Sequence, residues 1–445
     1  MILQFSVSNF RAFRKMQTLN LAASNYDKTL PQNCITPDLP GLKGRRWVKG
    51  AAIYGPNASG KSSVLEALRA MVNLVRNSAK TTDPKEPIAG IEPFAFAPEA
   101  LTEPTGFGLV FVNAGVRYEY RVAATLDRVW HESLRAFPDK WEQTWFCRNW
   151  NPETASYDWT PEKPSGYKRD PKREEYTLPN VLYLSKAVSL GDTQLEPVFG
   201  WFRERLRFLD LSAGAGFHGS FSMEQLVKRS PLAPRIIEML RHADLGVADA
   251  RVKEVEMANQ IAEQVLLQLP EPARAQAATN KWVQPELLHN VPGTEPMPLP
   301  WERESVGTQR YFDLAGPWLD IMAKGFVVCI DELETSMHPL MVRELLRLMF
   351  SAEENASGAQ LIFTTHNPLL LDPTLLRRDQ VWFTDKDEKS EAYVYALADY
   401  APRKGESLVR GYLAGRYGAV PFIPEGLLGS FPAIEEATKG GGDEH

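Results

Sequence analysis

The stretch Gly55–Ser62 reads G-P-N-A-S-G-K-S, and its flanks decide how it folds. Upstream, Val48–Tyr54 (V-K-G-A-A-I-Y) ends as a short apolar strand. Downstream, Ser63–Val75 repeats Val64, Leu65, Leu68, Met71, Val72 and Val75 at helical spacing. A Gly-rich loop between a strand and a helix forms a phosphate cradle. The glycines let the backbone curl so that successive N–H groups face one anion, and the helix N-terminus adds its positive end. In this loop Gly55, Asn57, Gly60, Lys61, Ser62 and Ser63 are the candidate nucleotide-binding residues. Lys61 has the reach to meet the β- and γ-phosphates, and the Ser62 hydroxyl suits a Mg²⁺ ligand. The alternative is an ordinary Gly-rich turn, which the strand and helix on either side disfavour. The expected class is therefore α/β, with ATP and Mg²⁺ as ligands.

Two further strands carry the rest of such a site. Phe326–Ile330 (F-V-V-C-I) is fully apolar and ends in Asp331-Glu332. Downstream of a phosphate loop this has the Walker B form, with Asp331 in the Mg²⁺ shell and Glu332 polarising the attacking water. Leu361–Thr365 (L-I-F-T-T) is closed by His366-Asn367-Pro368, where a histidine suits a switch residue touching the γ-phosphate. Lys61, Glu332 and His366 are thus the candidate catalytic residues. Ser62 and Asp331 are the candidate metal ligands. Glu304–Arg310 (E-S-V-G-T-Q-R) precedes a helix expected over Tyr311–Met322. A small-residue turn at a helix start is an anion site, or simply an N-cap by Ser305 or Thr308.

Bulk properties set limits. The 445 residues, 44% hydrophobic and 24% charged, suit two or three soluble domains with a sizeable core. A net charge of −6 gives no global nucleic-acid footprint. Cys34, Cys147 and Cys329 form no C-x-x-C pair, so neither a disulfide framework nor a zinc site is expected. No apolar run approaches membrane-spanning length, and the N-terminus has no leader pattern; a reducing cytoplasm is the expected home, with no membrane partner.

Along the chain, Ile2–Leu21 reads as strand, turn at Asn9–Arg14, strand, and Ala22–Arg46 as loop. Phe107–Thr125 is β-rich with a hairpin turn at Asn113–Gly115. Trp150–Tyr176 reads as an exposed loop or hairpin extension, and Val181–Leu184 as a short buried strand. Trp201–His289 reads as helical: Ser230-Pro231 is a helix start, and Val255, Ala258, Ala262, Val265 and Leu269 share a helical face. Asn290–Pro300 is a proline-rich connector, and Lys439–His445 is expected to be disordered.

The order of phosphate loop, insertion, S-x-G-T-Q, strand with DE and strand with His resembles the ABC-type ATPases, and within them the RecF, SMC and OLD branch. That resemblance implies an ABC-type P-loop ATPase head with a β-rich N-terminal lobe and a helical insertion. The expected division is 1–200 and 301–424 for the head, 201–300 for the insertion and 425–445 for a tail. It implies a homodimer or higher homo-oligomer in which Ser305 and Gly307 act in trans on the γ-phosphate while Glu332 and His366 act in cis. Asn9-Phe10-Arg11-Ala12-Phe13 resembles the branch's N-F-R-x-F element, which makes Arg11 a candidate nucleotide contact. Against the usual L-S-G-G-Q signature, this chain has Val306 for the first glycine and Thr308 for the glutamine. The D-E-x-E-x-x-x-H-P run from Asp331 to Pro339 is closer to OLD-like enzymes than to the SMC-like pattern. Gln194 is one candidate for the Q-loop. The absence of long heptads excludes SMC-length coiled coils, and the segment after His366 is too short for a toprim nuclease. Gly411–Pro421 resembles the end of stand-alone AAA-type ATPases from bacterial anti-phage operons, PARIS among them. This implies an ATP-hydrolysing sensor and scaffold that controls a separately encoded toprim-like effector nuclease, with DNA or a phage protein as trigger. A RecF-like repair or recombination ATPase acting directly on DNA is the alternative. A transporter subunit is a weaker third reading.

Overall fold

The structure, a computed structural model, describes residues 1–160, 166–211, 221–243, 245–255, 282–402 and 405–421. Its first strands are β1 (Ile2–Ser8), β2 (Gln17–Asn20), a short ribbon β3 (Cys34–Ile35) and β4 (Trp47–Val48), and then β5 (Gly50–Tyr54). A run of antiparallel strands comes next: β6 (Thr105–Asn113), β7 (Val116–Ala124), β8 (Val129–Phe137), β9 (Gln143–Asn151) and β10 (Ser156–Thr160). Then come β11 (Leu206–Leu209), β12 (Val247–Val255), β13 (Trp282–His289), β14 (Met297–Leu299), β15 (Val327–Ile330), β16 (Gln360–Thr364), β17 (Val381–Lys386) and β18 (Ala392–Ala396).

They build two main sheets. One is antiparallel, in the order β10-β9-β8-β7-β6-β1-β2; the other runs β11-β15-β16-β5-β17-β18. In the second sheet every pairing is parallel except β17 with β18. The sequence distinguishes them. β6 alternates buried and half-buried residues, as a strand with one wet face does, whereas β5, β15 and β16 are buried at every position. The parallel sheet therefore divides two cores. Ala51, Ile53, Val327, Cys329 and Ile362 face the antiparallel sheet. Ala52, Tyr54, Val328, Ile330, Leu361 and Phe363 face the helices Val306–Lys324 and Pro339–Phe350.

Helix α1 (Lys61–Asn77) fills the first core between the two sheets. The residues predicted for its apolar face, Val64, Leu65, Leu68, Met71, Val72 and Val75, are all buried. Full burial of such a side chain contributes about 1.5–3 kcal/mol, so this face holds the helix in place.

Three sequence expectations are corrected. Val181–Leu184 is buried but is not a strand; it leads into the helix Tyr183–Ser189. The cause is Glu132 on β8. Its carboxylate accepts the Tyr183 and Leu184 N–H groups at 2.7 and 2.9 Å, satisfying donors that a helix start leaves open. Arg148 on β9 completes the arrangement at 2.7 Å, with both side chains fully buried. Trp201–His289 is mixed rather than helical. It holds the helices Phe221–Val227 and Ala233–His242, but also the edge strand β11 and the hairpin β12–β13. Long-range pairing overrides local propensity here, since β11 pairs with β15, more than a hundred residues away. The Ser230-Pro231 helix start lies just ahead of the helix that begins at Ala233, whose N–H bonds the Ser230 carbonyl at 3.0 Å. Of the helical face, Val255 ends β12 and the other four residues lie outside the described residues. The connector at 290–300 contributes β14, a third strand on that hairpin.

The Glu132–Arg148 pair gives a stability test. Arg148→Leu leaves a buried carboxylate without its cation, and the urea-unfolding free energy is expected to fall by about 3–5 kcal/mol.

Candidate nucleotide-binding site

Strand register assembles the site. Ile53 pairs with Thr364 and Phe363 with Ile330, so β5, β16 and β15 end at nearly the same level. Gly55, Thr365-His366 and Asp331-Glu332 therefore leave one edge of the sheet, the carboxyl edge where parallel sheets carry their ligand sites.

The loop is shaped for an anion. Ala58 and Gly60 adopt left-handed backbone with φ of 61° and 100°. Gly60 starts α1 without any side-chain cap, so the first-turn N–H groups stay open. Asn57 and Ser62 are exposed, Ser63 is half-buried, and Lys61 is buried. Its Nζ donates to the Gly55 and Pro56 carbonyls at 3.0 and 2.9 Å. Burial pulls the Lys61 pKa down, and the nearby carboxylates Asp331, Glu332 and Glu334 oppose that shift. Neighbouring elements fix the loop. The Ser59 hydroxyl meets Thr384 Oγ1 at 2.6 Å, and Thr384 also donates to the Tyr54 carbonyl at 3.3 Å. A Cβ on Gly55 would lie 2.4 Å from that same Thr384 oxygen, so only glycine fits.

The carboxylate pair is equally constrained. Thr364 donates to Asp331 Oδ1 at 2.5 Å and accepts the Glu332 N–H at 2.8 Å. Glu332 takes a positive φ of 49°, a strained conformation for a residue other than glycine. His366 Nε2 lies 3.9 Å from Glu332 Oε1, and the His366 N–H donates to Glu334 Oε1 at 2.5 Å.

Other predicted residues have different settings. The turn containing Arg11 touches the loop, since a Cβ on Gly60 would lie 3.4 Å from Ala12. The Arg11 guanidinium itself is held bidentately by Glu92 at 2.7 and 3.0 Å, which raises its pKa, and Glu66 of α1 lies 3.9 Å away. Asn9, Phe10 and Phe13 are structural. Asn9 binds the Ala100 and Glu103 carbonyls, and both rings are fully buried. Gln194 donates to the Gly166 carbonyl. Asp210, after β11, shares a cleft of about 240 Å³ with Asp331, Glu332 and Glu66.

Ser305 and Gly307 lie elsewhere. Ser305 caps the Val306–Lys324 helix by accepting the Thr308 N–H at 3.1 Å. A Cβ on Gly307 would meet the Ser336 carbonyl at 2.9 Å, which packs this turn against the loop after Glu332. Both line a cleft of about 1160 Å³ to which the phosphate loop contributes no residue. Exposed apolar side chains, Leu340 and Leu369, also line that cleft, and Val306 at the signature turn is exposed.

Sequence reading missed Thr364, Thr384 and Glu334. Glu334 belongs to the D-E-x-E run, which was a usable signal; Thr364 ends β16 and Thr384 lies within β17, with nothing local to mark either. The C-terminal G-Y-L-A-G-R-Y-G motif supports the site from behind. Tyr412 meets Tyr54 edge-on at 5.7 Å and, with Tyr417, stacks on Phe383.

Residues 51–372 match the family described as "AAA domain, putative AbiEii toxin, Type IV TA system". No curated protein matches the chain. Among solved structures, a crystal structure of the SmcHead bound to the C-winged helix domain of ScpA is similar at 11% identity and a TM-score of 0.40. It covers 89% of this chain and 97% of its own.

The loop's contacts yield a binding test. Lys61→Ala is expected to lose ATP binding. Thr384→Val is expected to weaken it about tenfold by removing the buried hydrogen bonds of the Thr384 hydroxyl to Ser59 and Tyr54, while Thr384→Ser retains it; titration with a fluorescent ATP analogue measures both.

Proposed function

The chain belongs to this AAA-domain family and is an ATPase of that type, and we propose that it serves as the ATP-hydrolysing sensor of a bacterial anti-phage complex. In this reading two copies sandwich ATP and control a separately encoded effector nuclease of the toprim type. The observation that carries the shared ATP site is the separation within one chain. The Ser305–Gly307 turn opens onto a cleft that holds no residue of its own phosphate loop. A second copy would bring the two together. The family's description as a toxin of a toxin–antitoxin system, together with the Gly411–Pro421 segment, supports the defence setting. Among the described residues no helix is long and apolar enough to cross a membrane.

The residues fit Mg²⁺-ATP. Lys61 and the open N–H groups of α1 would hold the phosphates, with Ser62 and the Thr364-fixed Asp331 toward the metal. Mg²⁺, when bound, neutralises phosphate charge. Glu332, held through its backbone by Thr364, is placed to orient water and accept its proton. His366 reports on the terminal phosphate through its contact with Glu332, and Ser305 and Gly307 complete the site in trans. Loss of the γ-phosphate removes contacts to both copies at once, as a switch requires.

Glu332→Gln is expected to bind ATP yet hydrolyse it at least 100-fold more slowly, on the order expected from loss of a general base. Unchanged hydrolysis would remove Glu332 from the site. Mixing Ser305→Ala with Lys61→Ala protein is expected to restore activity at one composite site, and no restoration contradicts the trans arrangement. Coexpression with a neighbouring nuclease gene tests the defence reading. A complex released on phage challenge supports it, whereas salt-sensitive binding to duplex DNA without that partner points to direct action on DNA.

A further inference from the structure

The Ser305 turn is anchored from outside the two main sheets. Glu304 immediately precedes it, with a side chain only 3% exposed. The Glu304 Oε1 accepts a hydrogen bond from His289 Nε2 at 2.7 Å. His289 ends β13, in the three-stranded β12–β13–β14 sheet that stands apart from the ATPase sheets. The same lobe reaches the cleft that Ser305 and Gly307 share, where His242, Ala243 and Leu245 form part of the wall. One corner joins these parts. The Asn290 N–H donates to the Gly246 carbonyl at 2.9 Å, and a Cβ on Gly246 would lie 3.6 Å from His289 Nδ1. On its other side the turn is stiff, because Glu304 N–H and Gln309 Nε2 both donate to the Trp301 carbonyl, at 3.1 and 2.7 Å.

A carboxylate this buried takes its position from its partner, since moving it away would leave a desolvated charge uncompensated. The backbone of Glu304 is continuous with the Ser305 cap, so the position of His289 sets the position of the turn. We propose that His289 and Glu304 are positioning residues for hydrolysis, and that the β12–β14 lobe regulates the ATPase by moving the Ser305–Gly307 turn through this pair. The proposal rests on the reading in which that turn completes the partner copy's ATP site. A displacement on the order of 1 Å at such a turn is enough to slow chemistry by up to about 100-fold without touching ATP itself.

The test compares His289→Ala, His289→Gln, Glu304→Ala and Ser305→Ala in the full chain, reading kcat, KM for ATP and ATP affinity. His289→Ala is expected to lower kcat by about tenfold or more with ATP affinity unchanged. His289→Gln, which keeps an Nε2 donor toward Glu304, is expected to recover most of the loss. Glu304→Ala removes the buried charge instead of orphaning it, and its kcat is expected to fall as in His289→Ala. Should His289→Ala fail to fold, Glu304→Ala carries the test. Unchanged kcat in Glu304→Ala, or a joint loss of kcat and affinity that His289→Gln does not recover, overturns the proposal. Ser305→Ala separates the two levels. If it leaves kcat unchanged, the trans reading fails. If it lowers kcat while the His289 and Glu304 variants do not, only the coupling fails.

Discussion

The level registration of β5, β16 and β15 is the constraint on which the rest depends. These parallel strands are buried on both faces, so their hydrogen-bond ladder admits no slippage without moving apolar side chains from one core into the other. Because Tyr54, Thr364 and Ile330 end their strands close to one level, three loops with unrelated sequences converge on one edge. Thr364 and Thr384 then convert strand position into loop position. The first bonds Asp331 and Glu332, and the second bonds Ser59 and Tyr54. The strained φ of Glu332 persists because that threonine fixes it from the neighbouring strand.

The same physics decides which parts are legible in the sequence. A parallel strand buried on both faces reads as an unbroken apolar run, and at Ile330 and Thr365 such a run gives way at once to charged or titratable residues. The phosphate loop and α1 are legible for a similar reason, since the motif and the helical period adjoin. Elements defined by distant partners are not legible. The strand β11 is four residues long and exists through its pairing with β15. The Val181–Leu184 segment is apolar enough for a strand, but the buried Glu132 carboxylate turns its continuation into a helix start. Arg11 carries the residue type of a nucleotide contact, yet its engagement with Glu92 depends on a residue far along the chain. Nor does the sequence mark which strand threonine bonds a loop of the site.

The two cores give this head a natural division of labour. The first packs α1 against the antiparallel sheet and holds the loop that binds phosphate. The second packs the Val306–Lys324 and Pro339–Phe350 helices, whose N-termini border the cleft that Ser305 and Gly307 line. In the proposed shared site, nucleotide affinity and completion of the catalytic site fall to different layers of the molecule, joined by the sheet between them. On that proposal, a lobe attached to the second layer alters hydrolysis and leaves binding intact.

The most direct test of the central claim is the solution mass of the Glu332→Gln protein, measured by light scattering with and without ATP and Mg²⁺. A shared site predicts that the 50.0 kDa chain at least doubles in mass only when both ligands are present, with one nucleotide bound per copy. A protein that binds nucleotide while keeping the mass of a single chain would contradict the account.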